Sequence, residues 1–177
     1  MTNLKNYLEA KVNIRGNKNL NYLSSFFSKT ELSILSNKTI SIVGTNGKSS
    51  TANNIAMLLK GLDKSYIAFT SPHLFDYKER MTAHKDLNFN EYIQYLENFE
   101  LKNNINLGYF ESTFLIAAKA FLHNDMDYFI CEAGIGGKYD TTSVIQSKTV
   151  VLTSIGLDHT DILGNKITDI LNQKINV

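Results

Sequence analysis

Seven consecutive residues, Gly44-Thr45-Asn46-Gly47-Lys48-Ser49-Ser50, bring together glycine, lysine and hydroxyl groups in one short segment. That combination suits phosphate. Glycines 44 and 47 permit backbone angles and a close approach that a side chain would block. Lys48 can reach the β- and γ-phosphates of a nucleotide, and a hydroxyl after it can bind magnesium. The run Thr39-Ile40-Ser41-Ile42-Val43 before the loop reads as a strand, and Ala52 to Lys60 after it as a helix closed by Gly61. A loop between strand and helix can wrap phosphate oxygens with backbone N–H groups, helped by the positive helix end. The longer phosphate-loop spacing is not met, because Ile42 stands where its first glycine belongs, so a shorter variant is expected. Taken alone, the segment could also be a Gly-Asn-Gly turn with Ser49 or Ser50 as helix cap.

Other residues with chemistry follow apolar runs in the same way. Glu132 comes directly after Tyr128-Phe129-Ile130-Cys131, and a carboxylate at the tip of a buried strand is costly unless something pairs with it. A metal ion near a triphosphate would supply that pairing. Ser71 follows the strand-like Ser65 to Thr70; a serine hydroxyl is a weak ligand, acceptable to magnesium alongside carboxylates and phosphate oxygens. His159 and Asp158 follow Thr149 to Ile155. Glu111 opens a nearly all-apolar helix, Phe110 to His123, where an acid is favoured by the helix dipole.

These strands must be held in register by helices. Residues 4–10, 20–35, 90–99 and 167–177 carry helical patterns, and 110–123 reads as a buried helix. Apolar strands separated by helices indicate an α/β fold with a parallel sheet covered on both faces. Ligands of such sheets bind beyond the C-terminal ends of the strands, where the marked residues fall.

The chain has 177 residues, the size of one domain. Its formal net charge of +1 gives no strong field toward nucleic acid or an anionic membrane. One cysteine, Cys131, excludes an internal disulfide framework and a cysteine-based zinc site, and fits a reducing, cytoplasmic setting. The opening MTNLKNYLEAK lacks a signal-peptide core, and no apolar run approaches the roughly 20 residues needed to span a bilayer.

Several of these segments resemble the Mur ligase superfamily, above all its folylpolyglutamate synthase and dihydrofolate synthase branch. GTNGKSST is similar to that branch's GTNGKGST loop, with Ser49 in place of Gly; the peptidoglycan members carry Thr there. Thr70-Ser71-Pro72-His73-Leu74 with Glu79-Arg80-Met81 resembles TSPHL…ERI. Gly108-Tyr109-Phe110-Glu111 with Thr113 resembles the TYFE segment. Glu132 to Ser143 resembles EVGLGGRLDATN, with Lys138 for Arg, Tyr139 for Leu, Thr141 for Ala and Ser143 for Asn. Thr153 to His159 resembles TSIGLDH, and Gln173-Lys174 stands at EKAGI, with Gln173, Ile175 and Asn176 departing.

The resemblance covers about residues 39–177 and implies a P-loop NTPase-like Mur ligase central domain, incomplete, with the family's C-terminal domain absent. It implies ATP and Mg2+ as cofactors, with L-glutamate and folate or dihydropteroate as substrates, in a cytoplasmic monomer of folate biosynthesis. Nucleotide binding would fall to Gly44, Thr45, Asn46, Gly47, Lys48, Ser49 and Ser50, and metal binding to Ser71, Glu132 and His159. Gly108, Tyr109, Phe110, Glu111, Tyr139, Asp140 and Thr141 would contact the pterin substrate. Lys48 would be catalytic, and so would Lys174, as a carbamylated lysine. The alternatives are a noncatalytic nucleotide-binding fragment and a peptidoglycan Mur ligase; the Ser71-Pro72-His73 and Tyr109-Phe110-Glu111 segments argue against the second.

Overall fold

The computed structural model describes residues 3–14, 19–175 and 177. Strands β1 (Thr39–Val43), β2 (Tyr66–Phe69), β3 (Met81–Ala83), β4 (Tyr128–Glu132) and β5 (Thr149–Leu152) form one sheet in the order β3-β2-β4-β1-β5. The four strands from β2 to β5 across the sheet are parallel, as expected from the alternation of strands and helices. The edge strand β3 is antiparallel to β2 and was not expected from the sequence.

Side chains alternate between two cores, as the two-residue period of a strand requires. Ile67, Phe69, Phe129 and Cys131 face one core, while Tyr66, Ala68, Ile130 and Ile42 face the other. The helices are α1 (Leu4–Glu9), α2 (Leu20–Ser24), α3 (Lys29–Lys38), α4 (Lys48–Gly61), α5 (Ile93–Asn103), α6 (Tyr109–His123), α7 (Thr160–Leu163) and α8 (Ile167–Lys174). Helix α4 covers the Ile42 face through Ala52, Ala56 and Leu59. Helix α6 fills the opposite face and is buried continuously from Glu111 to Phe121, as its apolar composition implies. Lys119 in that stretch is tolerated because its Nζ lies 2.5 Å from Glu31 of α3. Helix α1 and the turn after it are tied to Glu100 of α5, by the Tyr7 hydroxyl at 3.0 Å and by Lys11 Nζ at 2.6 Å.

Three expectations need correction. The expected 20–35 helix is two helices, because Ser28 starts α3 with a capping box: its side chain accepts from Glu31 N, and Glu31 accepts from Ser28 N. The strand expected over 149–155 is only β5, and it is a partly exposed edge rather than a buried strand. Its chain leaves the sheet at Thr153 to wrap the loop that follows β1. The last helix ends at Lys174, and Asn176 of the expected span lies outside the described residues.

Ser28→Ala should cost about 1 kcal/mol of stability, the usual value of an N-cap. Denaturant unfolding would check it; an unchanged midpoint would mean that packing alone fixes the start of α3.

Candidate active site

The parallel strands β1, β2 and β4 end on the same edge of the sheet, so the segments after them meet there. After β1, Gly44 takes φ +152°, and a Cβ there would collide with the Thr153 hydroxyl. Gly47 takes φ +83° and serves as N-cap of α4 without any side-chain cap. The first-turn N–H groups of α4, at Lys48, Ser49 and Ser50, therefore have no acceptor within the helix and are disposed toward an anion.

The loop is clamped by the segment after β5. Thr45 N donates to Ser154 O at 2.7 Å, Asn46 N to Ser154 Oγ at 3.0 Å, and Thr153 Oγ1 to Asn46 O at 2.7 Å. Thr45 and Asn46 thus hold the loop's shape. Lys48 Nζ donates to Gly44 O at 3.0 Å and Thr45 O at 3.2 Å. Lys174, 1% exposed, reaches the same Gly44 carbonyl at 2.7 Å. Burial, and then the positive charge of Lys48, push the Lys174 ammonium below the ordinary lysine range.

Glu132, at the tip of β4, is 2% exposed. Ser49 Oγ donates to its Oε1 at 3.0 Å and Ser71 N to its Oε2 at 3.2 Å. Burial raises its carboxyl above the ordinary range, against the opposing pull of these two donors and of the Lys48 and Arg80 charges. Ser50 is exposed, so Ser49 is the hydroxyl that faces the carboxylate. His159 caps α7 in a left-handed backbone conformation, with Nε2 3.6 Å from Asp158 Oδ1.

One cavity of about 480 Å³ is lined by Lys48, Ser71, Glu132 and His159 together with Phe110, Glu111, Tyr139, Asp140 and Thr141. Gly108 caps α6 behind it, and Tyr109 stands beside Arg80. The sequence placed these groups in one site, and the fold brings them to one space. Asp140 serves mainly to hold the wall: its carboxyl accepts from Ile135 N, Thr142 N and Thr142 Oγ1. Tyr139 is 66% exposed at the rim. Gly137 lets this wall lie against α8, where Lys138 N donates to Gln173 O at 2.8 Å and fixes the approach of Lys174.

The donor set fits a magnesium ion. Among the described residues no three His, Cys, Asp or Glu side chains converge. An ion here would take a carboxylate, neutral hydroxyls, water and phosphate oxygens, which is the pattern of Mg2+ and not of a site built wholly from protein ligands. Glu132 supplies a desolvated carboxylate with no ion-pair partner among the described residues.

A family profile, the Mur ligase middle domain, matches residues 42–177. The chain belongs to that family. Among relatives of this Mur ligase domain, a dihydrofolate synthase/folylpolyglutamate synthase of Buchnera aphidicola subsp. Schizaphis graminum is 37% identical over 176 residues. The match spans 95% of this chain and 40% of the relative. A folylpolyglutamate synthase of Arabidopsis thaliana is 34% identical over 149 residues, spanning 79% of this chain and 24% of that one. The solved structure of Escherichia coli FolC in complex with DHPP and ADP superposes with a TM-score of 0.82 at 30% identity, over 96% of this chain and 42% of FolC. This Mur ligase domain therefore spans well under half the length of those relatives.

The residue that sequence reasoning left without a role is Arg80. It stood in the quoted Glu79-Arg80-Met81 segment, and the structure puts it in the cavity wall beside Glu132.

Proposed function

We propose that this Mur ligase domain binds MgATP and contributes the phosphoryl-transfer half of a ligase that joins L-glutamate to a folate or dihydropteroate carboxylate. The observation that carries the reading is that Lys48 of the Gly44–Ser50 loop, Ser71, Glu132 and His159 line a single cavity with aromatic and polar residues, while Ser49 and Ser71 donate to Glu132. The similarity to folate-ligase enzymes across nearly the whole chain supports the choice of acceptor.

In this reading the α4 N-terminus and Lys48 hold the phosphates in line with the acceptor carboxylate. Glu132, Ser71, Ser49 and His159 hold the ion, which when bound would neutralise charge on the transferring phosphoryl group. The wall of Phe110 and Tyr139 gives the flat pterin a surface and keeps water from the acyl phosphate. Lys174 is assigned the carbamate: burial and the neighbouring Lys48 favour its neutral amine, the form that adds carbon dioxide.

Isothermal titration with MgATP, and with ATP in EDTA, tests the nucleotide half. Saturable binding that is strengthened by magnesium supports it; no binding in either condition sinks it. Ser49→Gly, which restores the folate branch's usual residue, should weaken the magnesium-dependent part by about two- to tenfold, the worth of one hydrogen bond. Ser50→Gly should leave it within a factor of about two, because Ser50 points to solvent. Equal effects of the two substitutions would refute the assignment of Ser49 to the ion's surroundings.

A further inference from the structure

We infer that Arg80 is the residue that takes the acceptor carboxylate and presents it to the nucleotide. The inference rests on the acceptor class given under Proposed function and adds to it a recognition group. Arg80 is the only arginine among the described residues and belongs to the 3₁₀ turn Tyr77–Arg80, between β2 and β3. It is half-buried and lines the cavity, yet no carboxylate lies within ion-pair distance of it among the described residues. A guanidinium withdrawn from water without an ion pair is costly, and the Glu132 charge offsets only part of that loss.

Its surroundings orient it without an ion pair, and the Glu132 charge acts on it only at longer range. Arg80 Nε donates to His73 Nδ1 at 2.7 Å, and the guanidinium lies 5.1 Å from the centre of the Tyr109 ring. Neither contact is a carboxylate, and together they orient the guanidinium. The terminal N–H groups are the part suited to two carboxylate oxygens at once.

The turn that carries Arg80 is itself held stiffly. Glu79 accepts from Leu74 N at 2.7 Å, Phe75 N at 2.9 Å and Asp76 N at 2.8 Å, closing the segment after Ser71 onto itself. Thr70 N donates to Arg80 O at 3.0 Å, which ties the arginine to the end of β2. Ser71, His73 and Arg80 are therefore positioned as one unit.

The place of Arg80 selects its anion. Lys48 and the start of α4 already serve the phosphate end. Arg80 lines the same cavity as Phe110 and packs on the Tyr109 ring, and this aromatic surface suits the flat part of an acceptor. A phosphoryl transfer to a carboxylate brings two anions together, and the two cations that line the cavity, Lys48 and Arg80, offset their repulsion. The carboxylate oxygen attacks the γ-phosphorus and ADP leaves. Arg80 gives up no proton in this step and acts through binding and orientation.

The test compares dihydropteroate with its carboxamide, both titrated into the full chain in the presence of magnesium and a non-hydrolysable ATP analogue. Wild type should prefer the acid by about tenfold or more, the worth of a charge-assisted pair. Arg80→Gln should bind the two alike, Arg80→Lys should keep part of the preference, and all three should bind the nucleotide within a factor of about two. A residue that merely braced the loop would alter both ligands equally and leave their ratio unchanged. If wild type binds acid and amide alike, or if Arg80→Gln keeps the preference, the assignment is overturned while pterin recognition stands. If nucleotide binds and neither pterin does, the acceptor class itself fails and takes the Arg80 assignment with it.

Discussion

Lys48→Ala is expected to weaken MgATP binding by about a hundredfold, since a charge-assisted contact in a partly desolvated site is worth up to about 3 kcal/mol. Lys48 stands at the first turn of α4, where the uncapped N–H groups already favour an anion. Its Nζ lies on the Gly44 and Thr45 carbonyls, within the loop that would surround the phosphates. Alanine removes the charge while keeping helix propensity, so the fold should survive; an unchanged unfolding transition would verify that. Lys48→Arg should recover part of the affinity, because it keeps the charge with different geometry. ATP affinity within a factor of about two of wild type, by calorimetry, would refute the phosphate-loop assignment.

Glu132→Gln is expected to remove most of the gain that magnesium gives to nucleotide binding, about 2–3 kcal/mol or roughly thirty- to 150-fold. The substitution preserves shape and lets an amide oxygen accept from Ser49 or Ser71, so the two donors that meet the carboxylate keep a partner. What it removes is the anionic ligand. Binding in EDTA should be nearly unchanged, and relief from burying a charge should leave stability equal or higher. His159→Ala should act in the same direction with a smaller loss, because His159 is half-exposed and its imidazole is one ligand among several. Equal losses with and without magnesium would mean that Glu132 acts on the loop and not on an ion.

The parts of the site that were legible in the sequence are those that follow a strong local signal. β1 and β4 are apolar runs closed by Gly44 and Glu132, so the strand ends and the residues beyond them could be placed from composition alone. The motifs then carried Ser71, His159 and the Glu132–Ser143 wall, and the sheet order explains why they meet. What escaped the sequence depends on contacts distant along the chain. β3 has only three residues, Met81 to Ala83, and exists because the turn before it folds back beside β2. The exposure of β5 follows from its place at the sheet edge, which its Thr149-Val150-Val151-Leu152 composition does not reveal.

One miss had a readable signal. Ser28-Lys29-Thr30-Glu31 is the pattern of a capping box and marked the break that divides α2 from α3. Arg80 stood in a segment already singled out, yet its adjacent acid, Glu79, is taken up by the Leu74, Phe75 and Asp76 N–H groups, which only the structure reveals. Other roles were legible only in part. Asp140 stands in the cavity wall as the resemblance implies, yet its carboxyl is engaged by the backbone of its own loop. The clamp between Thr45-Asn46 and Thr153-Ser154 has no local signature, since it joins segments more than a hundred positions apart.

The edge formed by the ends of β1, β2 and β4 is proposed as a magnesium–nucleotide site. Hydrogen–deuterium exchange of the full chain, with and without a non-hydrolysable ATP analogue and magnesium, addresses it most directly. Saturable protection is expected in three segments, 44–51, 71–73 and 132–137, with the last two depending on magnesium. Protection confined to the β3 edge near 81–90, or no ligand-dependent change in 44–51 at saturating nucleotide, would contradict it.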